Sequence, residues 1–182
     1  MHSLRTSHKP QQRGVSLIEA MSVVAILSIV CGTALPSFTS LRQRADLAGV
    51  AAQLETDVQF ARSQATAMGH PVRLTLRERA GATCYMVHTG PDAQCECGGE
   101  LAASCSGEAE LLRSVALAAS GSVQVRSASK SVAFDPLKGT VTPTATLRVE
   151  ARDGRAIHQV VNLLGRVRSC SPGSRLGGEL AC

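Results

Sequence analysis

Four stretches of different hydrophobic pattern divide the chain. Residues 1–14 are polar and carry Arg5, Lys9 and Arg13 with no acid. From Val15 to Leu35 runs an apolar segment of 21 residues with one carboxylate, Glu19, near its start. About 20 apolar residues are enough to cross a bilayer as a helix, so residues 15–35 read as a transmembrane helix. The cations before it put that flank on the cytoplasmic side. A charge at bilayer depth costs about 2.5–3.5 kcal/mol on insertion scales, so Glu19 needs a partner. In residues 36–69 the pattern becomes helical and amphipathic. Leu47, Ala51, Leu54, Val58, Ala61, Ala65 and Met68 recur at alternating steps of four and three, which lines one face of a helix. Arg42, Arg44, Asp46, Glu55, Asp57 and Arg62 fall mostly off that stripe. The small Ala residues allow close approach, so the stripe is expected to pack on the chain's own sheet. Gly69 and Pro71 stop the helix. Val15 to Met68 as one helix would be about 80 Å long, with a kink expected at Pro36, which removes a donor and crowds the preceding turn.

Beyond Pro71 the period falls to two. Val72–Arg77 alternates, and Cys84–Val87 is its hairpin partner across Ala80-Gly81-Ala82. Further strands are expected at Ser114–Ala118, Val123–Arg126, Ser131–Phe134, Thr144–Glu150 and Ile157–Asn162, with turns at Asp135-Pro136 and Asp153-Gly154. Residues 89–108, rich in Gly, Cys and acids, read as a stapled loop. One long N-terminal helix followed only by short strands predicts an α+β fold, with antiparallel sheet packed on the helix. The organisation is thus a leader at 1–14, a membrane helix at 15–35, an amphipathic helix half at 36–69 and a β-rich domain at 70–182.

Charge alters this picture through its distribution. The formal net charge is +5, of which the first 14 residues hold three cations. Residues 36–110 hold six Lys/Arg and nine Asp/Glu, whereas residues 111–182 hold ten and four. A basic C-terminal half points to a polyanion partner or to a positive solvated face. Of seven Cys, Cys31 lies in the apolar run and reads as a small apolar residue. The six others, an even number in an exported domain, read as disulfides. Cys170 and Cys182 bound a Gly-rich tail and are expected to pair, a closure that gains about 3 kcal/mol in the chain-entropy model. Cys84 is expected to join Cys95 or Cys97, with Cys105 taking part in what remains. The alternative is a metal site of His88, Cys95, Cys97 and Cys105, although C-x-C lacks the usual finger spacing. No metal, cofactor or catalytic constellation is expected. His70, His88 and His158 are scattered, and no nucleophile–base or paired-carboxylate grouping stands out.

The N-terminal features resemble a type IV prepilin: a short basic leader, Gly14 at its end, and Glu19 at the fifth place counted from Val15. Pro36 also stands where pilins commonly carry Pro, while Val15 replaces the usual Phe. The resemblance implies a prepilin peptidase that cuts between Gly14 and Val15 and methylates the new amine. It also implies that Glu19 pairs with the Val15 amine of a neighbouring subunit during assembly. The protein would then be a single-pass inner-membrane precursor with a periplasmic domain, later part of a pilus or pseudopilus filament with other pilin subunits.

The final strand runs into Gly165-Arg166-Val167-Arg168. The helix, Phe134-Asp135-Pro136 with Gly139, and this GRxR ending resemble the GspH/FimT family of minor pilins and pseudopilins. The FimT branch is implicated in DNA binding during natural transformation, and the motif carries over here to Gly165, Arg166 and Arg168. If the segment is extended, both guanidiniums share a face and can grip successive phosphates. Arg175, in the tied tail, would add a third. With few aromatics, base stacking is disfavoured, and phosphate contact without sequence preference is the expected mode. The competing expectation is a structural minor pilin or type II secretion pseudopilin in which Arg166 and Arg168 form a solvated strand end paired with Glu150 or Asp153.

Overall fold

The computed structural model describes residues 16–98, 102–173 and 180–182, without the side chains of 33–37. Gly14, Val15 and Arg175 therefore lie outside the described residues. The chain forms two units, divided between Ser40 and Leu41.

One helix, α1 (Leu17–Met68), supplies residues to both units and includes Pro36. Ser16 caps its start: its Oγ accepts the Glu19 amide at 3.4 Å and its carbonyl accepts Ala20 N–H at 3.1 Å. Ser16 and Glu19 thus stand in the S-x-x-E order of a capping box. In the first unit the apolar side chains face outward; Leu17 and Ile18 are 80 % and 74 % exposed. Among the described residues no helix is long and apolar enough to cross a membrane.

In the second unit the stripe is buried as expected. Leu47, Ala51, Leu54, Val58, Ala61 and Ala65 all enter one core with both sheets. The larger sheet has the order β5-β2-β1-β7-β8, formed by β1 (Val72–Arg79), β2 (Ala82–Thr89), β5 (Leu111–Leu117), β7 (Ser131–Phe134) and β8 (Val141–Thr142). The smaller has the order β11-β10-β9-β6, formed by β6 (Val123–Ser127), β9 (Ala145–Ala151), β10 (Ala156–Val161) and β11 (Val167–Cys170). All these strand pairs are antiparallel. β1 and β2 turn through Ala80 and Gly81, with φ of 48° and 79°, the two left-handed residues of a type I′ hairpin.

The expected loop 89–108 contains a short hairpin, β3 (Cys95–Cys97) with β4 (Ala103–Cys105). It covers the second face of β2, where Cys84 and Met86 pack against Cys95 and Cys97. Disulfides join Cys84 to Cys97, Cys95 to Cys105 and Cys170 to Cys182. Both pairing expectations thus hold. One helix residue corrects the stripe reading. Asp57, taken as lying off the buried face, is fully buried. Its carboxylate accepts from Tyr85 Oη at 2.8 Å and Gln53 Nε2 at 3.1 Å and pairs with Arg113, whose guanidinium also lies over the Phe60 ring. A charge removed from water needs that many partners.

Candidate nucleic-acid interface

The β10–β11 connection is a hairpin turn fixed by one side chain. Asn162 Oδ1 accepts both Leu164 N–H at 3.0 Å and Arg166 N–H at 2.9 Å. Its carbonyl accepts Gly165 N–H at 2.9 Å, and its own N–H donates to the Arg166 carbonyl at 3.1 Å. Gly165 has φ of +70°, a left-handed conformation that a Cβ penalises. Arg166 follows, and Arg168 lies on β11 opposite Val160. Both arginines are exposed.

A second loop lies against this turn. Asp135 Oδ1 accepts Leu137 and Lys138 N–H at 2.9 and 2.7 Å, and Gly139 closes the loop with φ of +61°. The Lys138 amide bond, aided by that from Leu137, holds the Asp135 carboxyl below its usual range. Val141 N–H donates to the Leu163 carbonyl at 2.9 Å, joining the loops. Between them passes Arg62 of α1. A Cβ on Gly165 would stand 3.1 Å from Arg62 Cδ, 3.2 Å from its Nε and 3.3 Å from the Gly139 carbonyl oxygen; one on Gly139 would stand 3.5 Å from Arg62 Nη2. The missing Cβ of Gly165 therefore leaves a slot for the Arg62 stem, whereas a Cβ on Gly139 would make only ordinary contact with it. Lys138 is exposed at the rim and Arg62 half-buried.

Both acids considered as partners for Arg166 and Arg168 are engaged elsewhere. Glu150 faces Arg126 at 3.8 Å, and Asp153 pairs with Arg155. That hydrogen-bonded Arg155 holds the Asp153 carboxyl below its usual range. Among the described residues neither Arg166 nor Arg168 has an ion pair. Glu19 is exposed in the first turn of α1. Cys170 and Cys182 are bonded to each other, with Cys182 Sγ 3.8 Å from His158 Nδ1. Of the alternative metal set, His88, Cys95 and Cys105 place ligand atoms within 4.8 Å of one another. Cys95 and Cys105 are joined as a disulfide, however, and Cys97 is bonded to Cys84, so none of these sulfurs is a thiolate. His88 instead contacts Thr75 Oγ1 and the Thr89 carbonyl, each at 2.9 Å.

Sequence reasoning missed Arg62 and Asn162. Arg62 read as one more cation off the apolar stripe, and only the long-range packing of α1 against two loops sets it apart. Asn162 carried a signal, since Asn before a turn commonly bonds backbone two residues on.

A long N-terminal helix whose second half packs on antiparallel sheets is the architecture of the type IV pilin-like class. The family model described as "Type II transport protein GspH" matches residues 50–165, and that described as "Prokaryotic N-terminal methylation motif" matches residues 9–35. The chain belongs to the GspH family of type IV pilin-like proteins. The GspH match ends at Gly165, one residue before Arg166. Among solved structures, the type IV minor pilin FimU of Pseudomonas aeruginosa is similar at 17 % identity, covering 69 % of this chain and 88 % of that one, with a TM-score of 0.48. No curated protein matches.

Proposed function

We propose that this protein is a minor type IV pilin that binds DNA without sequence preference, through Arg166 and Arg168 beside the Gly165 turn, during DNA uptake. The observation that carries the reading is the pair of exposed guanidiniums, without an ion pair among the described residues, on a backbone fixed by Asn162. A pre-set backbone lowers the ordering cost of binding, and guanidiniums suit phosphate geometry. Two contacts alone give weak affinity, so retention rests on many copies or on a partner subunit. In this reading a prepilin peptidase cuts between Gly14 and Val15, and residues 15–35 anchor the precursor in the inner membrane. Glu19 then pairs with the Val15 amine of a neighbouring subunit. The outward apolar side chains of α1 from Leu17 to Val30 would be covered first by lipid and then by other subunits. Arg175 would reinforce the contact from the tail, and no catalysis is assigned to the chain.

A second reading is favoured by the description of the matching family, a type II transport protein. There the chain is a pseudopilin with a purely structural role in filament assembly. A gel shift of the Leu41–Cys182 unit with duplex DNA at low salt separates the two. Binding by the wild type, lost in Arg166→Gln/Arg168→Gln with an unchanged circular dichroism spectrum, supports the first. Free DNA at all wild-type concentrations, even at low salt, sinks direct binding and leaves the second.

A further inference from the structure

The outer face of the smaller sheet is rich in arginine, and its register aligns these side chains. Inner positions such as Val125, Leu147, Val149 and Val161 are buried in the core. The alternating positions face out, and Arg126 on β6, Arg148 on β9 and Arg168 on β11 are all exposed. Arg126 stands directly opposite Arg148. Arg148 in turn stands opposite His158, and His158 opposite Cys170. In the next row Arg168 stands opposite Val160, which faces Thr146.

Like charges directly opposite on neighbouring strands repel, with Cβ atoms only about 5 Å apart. Among the described side chains on the strands of this face one is acidic, Glu150, and its Oε2 lies 3.8 Å from Arg126 Nη1. Arg148 has no ion pair among the described residues. His158, beside it, is pushed below its usual range by burial first and by Arg148 second. Two opposed arginines therefore share one carboxylate, which faces Arg126 and leaves Arg148 unmatched, and a bound polyanion would supply the missing counter-charge.

At about 4.8 Å between strands and about 3.4 Å per residue, Arg168 lies about 12 Å from Arg148 and about 16 Å from Arg126. Arg166 extends the line by two more residues. We propose that the phosphate backbone of duplex DNA crosses the outer face of this sheet, from the Arg166 turn through Arg168 and Arg148 to Arg126, making the sheet face and not the turn alone the binding surface. The proposal rests on the reading that Arg166 and Arg168 meet DNA phosphates.

The test uses the Leu41–Cys182 unit, which holds the whole buried core and all three disulfides. Fluorescence anisotropy with a labelled random duplex, from 50 to 200 mM salt, is compared among wild type, Arg126→Gln/Arg148→Gln and Arg126→Lys/Arg148→Lys. Each lost phosphate contact should flatten the log–log salt slope by about 0.9. The Gln pair should lose about 1.8 of slope and the Lys pair should keep it. The Gln pair should melt no lower than wild type without DNA. Unchanged slope and affinity in the Gln pair, with Arg166→Gln/Arg168→Gln still impaired, overturns the sheet face and leaves the turn reading standing. Loss of binding together with a lowered melting temperature marks the two arginines as structural and also overturns it. A wild type that binds no DNA overturns both readings at once.

Discussion

The turn at Gly165 supports a graded test of how the site is built. Gly165 and Gly154 both have positive φ, +70° and +84°. A Cβ on Gly154 would meet nothing within 4 Å, whereas on Gly165 it would meet Arg62 Cδ and Nε and the Gly139 carbonyl at 3.1–3.3 Å. Gly154→Ala therefore pays for backbone strain alone, about 1–2 kcal/mol. Gly165→Ala adds crowding against the Arg62 stem and the Gly139 carbonyl, roughly 1 kcal/mol. For a unit of this size each kcal/mol lowers the melting temperature by about 4 °C. Thermal unfolding of Leu41–Cys182 should thus show Gly154→Ala down by about 4–8 °C and Gly165→Ala down further, by about 8–12 °C. Adding Arg62→Ala removes two of the three close contacts. The double variant should then be more stable than the sum of its parts predicts, by about 0.5–1 kcal/mol. Equal losses at Gly154 and Gly165, with no coupling to Arg62, would refute the slot.

Three further outcomes follow from other parts of the molecule. Arg113→Ala leaves Asp57 buried with only Tyr85 and Gln53. Since Arg113 is itself 38 % exposed, the loss in urea unfolding should be about 2–3 kcal/mol, below the roughly 3–5 of a fully buried pair. Ala80→Asn relieves a left-handed non-glycine residue (φ 48°) in the type I′ turn and should raise stability by up to about 1 kcal/mol. His88 titrates below its usual range because burial disfavours the imidazolium. Below pH of about 6.5 the unfolded chain takes up that proton more readily, so stability should fall as pH drops from there. Urea midpoints measured from pH 7.5 to 5 should show this fall, and His88→Gln should flatten it.

Much of the fold was legible because each element carried a local period. The four-and-three spacing from Leu47 to Met68 fixed the buried helix face, and alternation located strands such as Ser131–Phe134. The Gly-rich tail between Cys170 and Cys182 marked their pairing by elementary loop entropy. Asp57 was not legible, because its burial depends on Tyr85 and Arg113, which are distant in sequence. The site was half legible. Gly165, Arg166 and Arg168 stand together in the chain, but the Arg62 slot and the Arg126–Arg148 pairing are products of tertiary packing and strand register. A single-residue register shift would have sent Arg126 and Arg148 to the core face, and only the assembled sheet fixes which face they take.

The central claim, that the face ending in Gly165–Arg168 binds DNA by phosphate contact, is tested most directly by the salt dependence of wild-type affinity. Contact by Arg166 and Arg168 alone predicts a slope of about −1.8, roughly a 12-fold loss between 50 and 200 mM salt, and contact by all four arginines about −3.6, roughly 150-fold. The account predicts a slope between these values that drops by about 1.8 in Arg166→Gln/Arg168→Gln. An absence of binding at 50 mM salt, or a slope that the double substitution leaves untouched, would contradict it.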